Sequence, residues 1–157
     1  MENFLSPTYV ELYTRLIVAL LLGMLIGTER LIAHKTAGMR TFSLVSMGAS
    51  LFVIIATLIA QQYAPASFNG AYIPAAIITG VGFIGSGLMT WKHSQLLGIT
   101  SAAGLWISAG IGIACGFGFY QIAIVACTLV LFIFIVLWFI EQQIKRVIGY
   151  ADDPSSE

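Results

Sequence analysis

Charge is what this chain has least of. Seven lysines and arginines and seven acids make up 9% of its 157 residues, against roughly a quarter in a soluble domain. That scarcity excludes an ordinary water-soluble core. The net charge is zero and no lysine/arginine run exceeds two residues, so no basic field exists to attract nucleic acid. Cysteine is scarce too. Cys115 and Cys127 lie in apolar stretches without a nearby histidine or carboxylate cluster, which leaves no disulfide framework and no metal site at recognisable spacing; both read as small buried hydrophobes. The N-terminus has no positive region, its first charges being Glu2 and Glu11, so the first apolar segment is expected to stay rather than be cleaved as a signal. Patterns of the GxSxG, HExxH, P-loop or CxxC kind do not occur, and neither an enzyme nor a cofactor is expected.

What the chain has instead is apolar length. Hydrophobic residues make up 59% of it, and from Ser94 to Ile140 there are 47 residues without a formal charge, broken in the middle only by Gly112, Gly116 and Gly118. A helix needs roughly 20 apolar residues to cross a hydrocarbon core of about 30 Å, so this run is two helices joined by a glycine turn. Similar segments elsewhere predict spans over about 7–28, 41–60, 71–90, 95–114 and 119–140. Ser6 and Pro7 suit the N-cap and first turn of span one. Gln61–Gly70 reads as a loop, Pro74 is tolerable in a first turn, Glu141–Tyr150 continues the last span amphipathically, and 151–157 is an acidic disordered tail. The expected fold is an all-α integral membrane protein, a bundle of five transmembrane helices.

Orientation follows from the cations, because cytoplasmic loops retain lysine and arginine. Arg30, Lys35, Arg40, Lys92, Lys145 and Arg146 fall on one side and Arg15 alone on the other. This places the N-terminus outside and the C-terminus inside. Tyr9, Tyr13, Trp91 and Trp138 fall near span ends, where aromatic rings straddle the headgroups.

The few polar residues in or beside the spans are the functional candidates. Arg15 stands two turns inside span one, with Glu11 at the favourable i,i+4 position; it either snorkels outward in a self-contained pair or points into the bundle. Arg30, Lys35 and Arg40 are explained by orientation alone, whereas Glu29 is not. Since adjacent Glu29 and Arg30 do not face each other on a helix, Glu29 is expected to pair with Arg40, with Gly38 turning the chain and Thr41 capping span two. His34 and His93 read as solvated loop residues. Gly104, Ser108, Gly112 and Gly116 recur every fourth residue in span four, and Gly23 and Gly27 do so in span one. Such stripes let helices approach closely in lipid. Packing within the bundle is the default, a homo-oligomer interface (a dimer first) or a pore-lining seam the functional version. Gly80, Gly82, Gly85 and Gly87 mark a less regular cluster that reads as packing or as a helix break.

Several of these segments together resemble the MgtC/SapB family of bacterial inner-membrane proteins: Gly23-Met-Leu-Ile-Gly27-Thr-Glu29-Arg30, Ala37-Gly38-Met-Arg40-Thr41, Gly82-Phe-Ile-Gly85-Ser-Gly87, Gly98-Ile-Thr100-Ser-Ala-Ala103-Gly-Leu-Trp106 and Gly112-Ile-Ala-Cys-Gly116-Phe-Gly118. The likeness covers about residues 10–140. Ser101 stands where the family commonly has a second Thr, and Gly104 where Thr or Ser is common, which weakens a hydroxyl role around Thr100. The resemblance implies a multi-pass protein of the bacterial inner membrane with roles in magnesium homeostasis, acid stress, virulence and survival inside host cells and, for one branch, inhibition of the F-type ATP synthase. Many such relatives carry a soluble C-terminal domain, so this is expected to be a short form or a piece of a longer chain. A magnesium pathway is poorly supplied, because Mg²⁺ needs oxygen ligands in octahedral array and Glu29 is the sole acid between Leu16 and Ile140. The sequence therefore favours a membrane regulator that binds another membrane protein; the alternative is an ion or small-solute transporter, including of Mg²⁺, using Arg15, Glu29 and Arg40.

Overall fold

A computed structural model describes residues 7–63, 69–92 and 95–148. The expectations for Ser6, His93, most of the 61–70 loop and the 151–157 tail fall wholly or partly outside these residues. Helix α1 (Pro7–Ile32) and helix α2 (Met39–Tyr63) form an antiparallel pair. Helix α3 (Tyr72–Ser86) leads into a hairpin of two three-residue strands, β1 (Thr90–Lys92) and β2 (Gln95–Leu97), paired antiparallel with Trp91 opposite Leu96. Helix α4 (Ile99–Gly116) follows, then α5 (Tyr120–Phe132), a π-helical turn (Ile133–Leu137) and α6 (Trp138–Ile148), the last three forming one helical rod.

Four helical stretches, Tyr9–Ile32, Met39–Tyr63, Ile99–Gly116 and Tyr120–Val147, are long and apolar enough to cross a membrane. Helix α3 has 15 residues, a rise of about 22 Å. The sequence extended this segment to Thr90 and began the next at Gln95, but the chain between them turns in the hairpin. Gly98 makes this possible: its φ is +88°, and a side chain there would run into the Leu88 carbonyl. The spans also start and stop a few residues away from their expected ends, most clearly at α1, which continues through Glu29 and Arg30 to Ile32.

Helices α1, α2, α4 and α5 share one core. Ile26, Phe42, Leu105 and Ile111 are completely or almost completely buried in it, together with Cys115 and Cys127. A smaller cluster, Ala49, Val81 and Ala109, holds α3 against α2 and α4. The outward faces stay apolar, with Ile17, Leu25, Phe52, Ile59, Phe83 and Ile122 exposed. An apolar surface around small-residue helix contacts is the arrangement expected when lipid is the solvent.

Candidate functional site

The polar residues gather at the two ends of an α1–α2–α4 seam. At the first end α4 finishes in a Schellman turn: the Phe119 N–H donates to Ala114 O at 2.8 Å and the Gly118 N–H to Cys115 O at 2.9 Å. Gly118 has φ +81°, the left-handed conformation this turn requires. The motif satisfies those two carbonyls and leaves that of Gly116 without an N–H donor. Arg15 answers it. Its Nη1 donates to Gly116 O at 2.9 Å while Nη2 donates to the Glu11 carboxylate. Arg15 thus points into the bundle and keeps its pair with Glu11 as well. A cation is also the charge favoured at a helix C-terminus. Arg15 Nε and the Tyr120 hydroxyl are buried nearby in sequence or space without a hydrogen-bond partner among the described residues.

At the other end Glu29 does not reach Arg40. Its carboxylate is held by Arg30, whose Nε donates to Oε2 at 2.5 Å and Nη2 to Oε1 at 2.8 Å. Neighbouring helical side chains diverge, but Arg30 is long enough to fold back across the difference, and its planar fork matches a carboxylate. The guanidinium is buried, 3.6 Å above the ring centroid of Phe134, a cation–π contact strengthened by the absence of water. Phe134 occupies the π turn. Extra residues in a helical turn re-aim the side chains that follow. Arg40 and Lys35 remain exposed, Thr41 sits inside α2 instead of capping it, and Thr100 is exposed in the first turn of α4.

Between the two ends the small residues are in use within the chain. A side chain at Gly23 would meet Phe42 O at 2.6 Å, one at Gly27 would meet Met39 Cα at 2.6 Å, and one at Gly116 would meet Val53 Cβ at 2.7 Å. At Gly112 it would collide with the Ser46 carbonyl, and at Gly104 with Phe134 Cζ at 2.6 Å. Ser108 donates to Phe42 O at 3.2 Å. Gly85 lies in ordinary contact distance of Ala102, whereas Gly48, Gly80 and Gly82 face open space. Sequence reasoning missed Phe134, a phenylalanine in an apolar run with nothing to set it apart. It also missed Ser46 and Ser50, fully buried hydroxyls without a partner among the described residues. Among those residues no group of three or more His, Cys, Asp or Glu side chains comes together to hold a metal.

The family model described as MgtC family matches residues 16–143, a stretch that takes in Glu29, Arg30, Gly116, Gly118 and Phe134 and begins one residue after Arg15. The chain belongs to the MgtC family. It is 37% identical over 146 residues to Protein MgtC of Salmonella typhimurium, covering 93% of this chain and 59% of that one. It is 38% identical over 113 residues to Protein MgtC of Brucella abortus, covering 72% and 45%, and 34% identical over 131 residues to an uncharacterised protein of Haemophilus influenzae, covering 80% and 55%. The chain therefore spans about half the length of these relatives. No solved structure matches it.

Proposed function

We propose that the chain is a membrane regulator that acts by docking against another membrane protein during stress adaptation, to low magnesium, acid or an intracellular habitat, with the F-type ATP synthase as the first partner to test. It crosses the inner membrane five times, with its N-terminus outside. The orientation is supported by the six cations gathered at the Arg30 end of the bundle.

The observation that carries the docking reading is a groove of about 700 Å³ between α2 and α3, lined only by residues such as Leu44, Gly48, Phe52, Ala76, Gly80 and Ile84. Ala76 and Gly80 are four residues apart, and Gly48 and Gly80 have open space before them. Small residues at this spacing admit a helix backbone in lipid. The stripes of α1 and α4, by contrast, are already filled by α2 and, at Gly104, by Phe134. One observation favours transport: the Ser46 and Ser50 hydroxyls, without a partner among the described residues, lie between the two arginine ends. Buried hydroxyls in a membrane are otherwise expected to be satisfied.

The test is co-reconstitution with F-type ATP synthase in liposomes, reading ATP-driven proton pumping. Addition of the chain should lower pumping, and Gly80→Trp, which fills the groove without touching the chain's own packing, should restore it. Unchanged pumping with the unmodified chain overturns this partner. Ion flux by the chain alone, in the absence of the ATP synthase, replaces the regulator with a transporter.

A further inference from the structure

We propose that the Arg30 end of the bundle carries a binding surface for anionic phospholipid headgroups, formed by Lys35, Arg40, Lys92 and Arg146. All four side chains are exposed. Neither of the two described acids at this end is free to neutralise them. Glu29 is held in two hydrogen bonds by Arg30, and Glu141 pairs with Lys145 at 3.3 Å. The capture of Glu29 is decisive for Arg40, because it removes the carboxylate nearest in sequence and leaves the guanidinium without an ionic partner among the described residues.

The cations also fall toward one end of the bundle, Arg146 about 18 Å beyond the level of Phe134 along the rod. Lys35 lies in the connection from α1 to α2, Arg40 in the first turn of α2, Lys92 in β1 beyond α3, and Arg146 near the end of α6. Consecutive helices run up and down, so these positions ring the same end. Leu88, just before the hairpin, packs against the core cluster that α1, α2, α4 and α5 share. Trp91, largely exposed beside Lys92, is the residue type that settles at headgroup level. Cations without an ionic partner among the described residues meet lipid oxyanions at this end, and the arginine forks suit phosphate oxygens. The source is the lipid itself, since the surface lies where headgroups are concentrated. Retention of cations on one side of the membrane explains orientation but carries no lipid preference. This surface is independent of the α2–α3 groove and of any protein partner.

The full chain in nanodiscs containing phosphatidylglycerol and phosphatidylcholine tests the proposal, with retained lipid measured by native mass spectrometry after mild delipidation. The unmodified chain should retain phosphatidylglycerol preferentially. Each of Lys35→Gln, Arg40→Gln, Lys92→Gln and Arg146→Gln should lower that preference by about five-fold, and the fourfold variant should abolish it. Unfolding midpoints in pure phosphatidylcholine discs check that the variants fold; if the fourfold variant does not, the single variants decide. Equal retention of both lipids, or a preference unchanged by the substitutions, overturns the proposal. Competition by inorganic phosphate overturns the lipid as the source and assigns the surface to a soluble oxyanion.

Discussion

Arg15 Nη1 donates to the carbonyl of Gly116, 101 residues away, at 2.9 Å. The first helix thereby closes the C-terminus of the fourth, at a carbonyl that the Schellman turn of Gly118 leaves without an N–H. Losing Arg15 uncaps that carbonyl in a membrane, where water is a poor substitute. Arg15→Leu should destabilise the protein by about 1–3 kcal/mol, read as the unfolding midpoint in detergent or lipid. Arg15→Lys, which keeps the charge but loses the fork, should fall between the two. A midpoint for Arg15→Leu equal to that of the unmodified chain would show that the contact contributes nothing.

Glu29 and Arg30 should behave as a unit. Glu29→Gln leaves a buried guanidinium without its counter-ion, a loss of about 3–5 kcal/mol for a buried pair. Glu29→Gln combined with Arg30→Met should cost less than Glu29→Gln alone, because the uncompensated charge is gone. The exchange Glu29→Arg with Arg40→Glu should recover nothing over the worse single change, since the two residues are not partners. Unfolding midpoints of the set check this, and recovery in the exchanged protein would contradict the observed pairing.

The glycines of α4 should differ in what they tolerate. A methyl group at Gly112 meets the backbone carbonyl of Ser46, whereas one at Gly104 meets the Phe134 ring. Backbone gives way by separating whole helices, and a ring gives way by turning or shifting. Gly112→Ala should therefore destabilise more than Gly104→Ala, by at least about 1 kcal/mol, within the range of overpacked cores. Gly104→Ala should also loosen the Arg30–Phe134 contact, so adding Phe134→Leu to it should cost less than Phe134→Leu costs by itself. The reverse order of the two alanine variants would mean that α2 and α4 approach less closely than described.

Gly80→Trp should leave the unfolding midpoint within about 0.5 kcal/mol, as expected for a surface change away from packed features. Gly23→Trp should fail to yield a folded protein, because Phe42 O and Ser46 occupy that space. Equal yields of monodisperse protein from both variants would remove the distinction between used and open glycines.

Much of the framework was legible in the sequence because apolar length and isolated charges are strong signals in lipid. The segments of α1, α2, α4 and the final rod, and the four-residue stripes of α1 and α4, could be read from residue spacing. The inward pull on Arg15 was left open, since its acceptor is a carbonyl set free by the turn at Gly118, and no residue type announces a carbonyl. The hairpin was hidden because Leu88–Leu97 holds apolar and polar residues in no clear period, and only Gly98 marks the break. Glu29 was assigned the wrong partner because neighbour rules describe Cβ directions, while arginine reaches several bonds farther. Phe134 could not be singled out among ten phenylalanines; the π turn that aims it is a property of the rod's backbone.

Helix α3 has a consequence for the lipid around the molecule. Its 15 residues rise about 22 Å, some 8 Å less than the hydrocarbon core of a typical bilayer. In the five-span arrangement proposed above, the acyl chains along that flank must shorten or splay while those beside the 28-residue rod stretch, so the annulus is thin on one side and thick on the other. Such mismatch costs a fraction of a kcal/mol for each ångström. Bilayers of shorter-chain lipids should relieve it on the α3 flank alone.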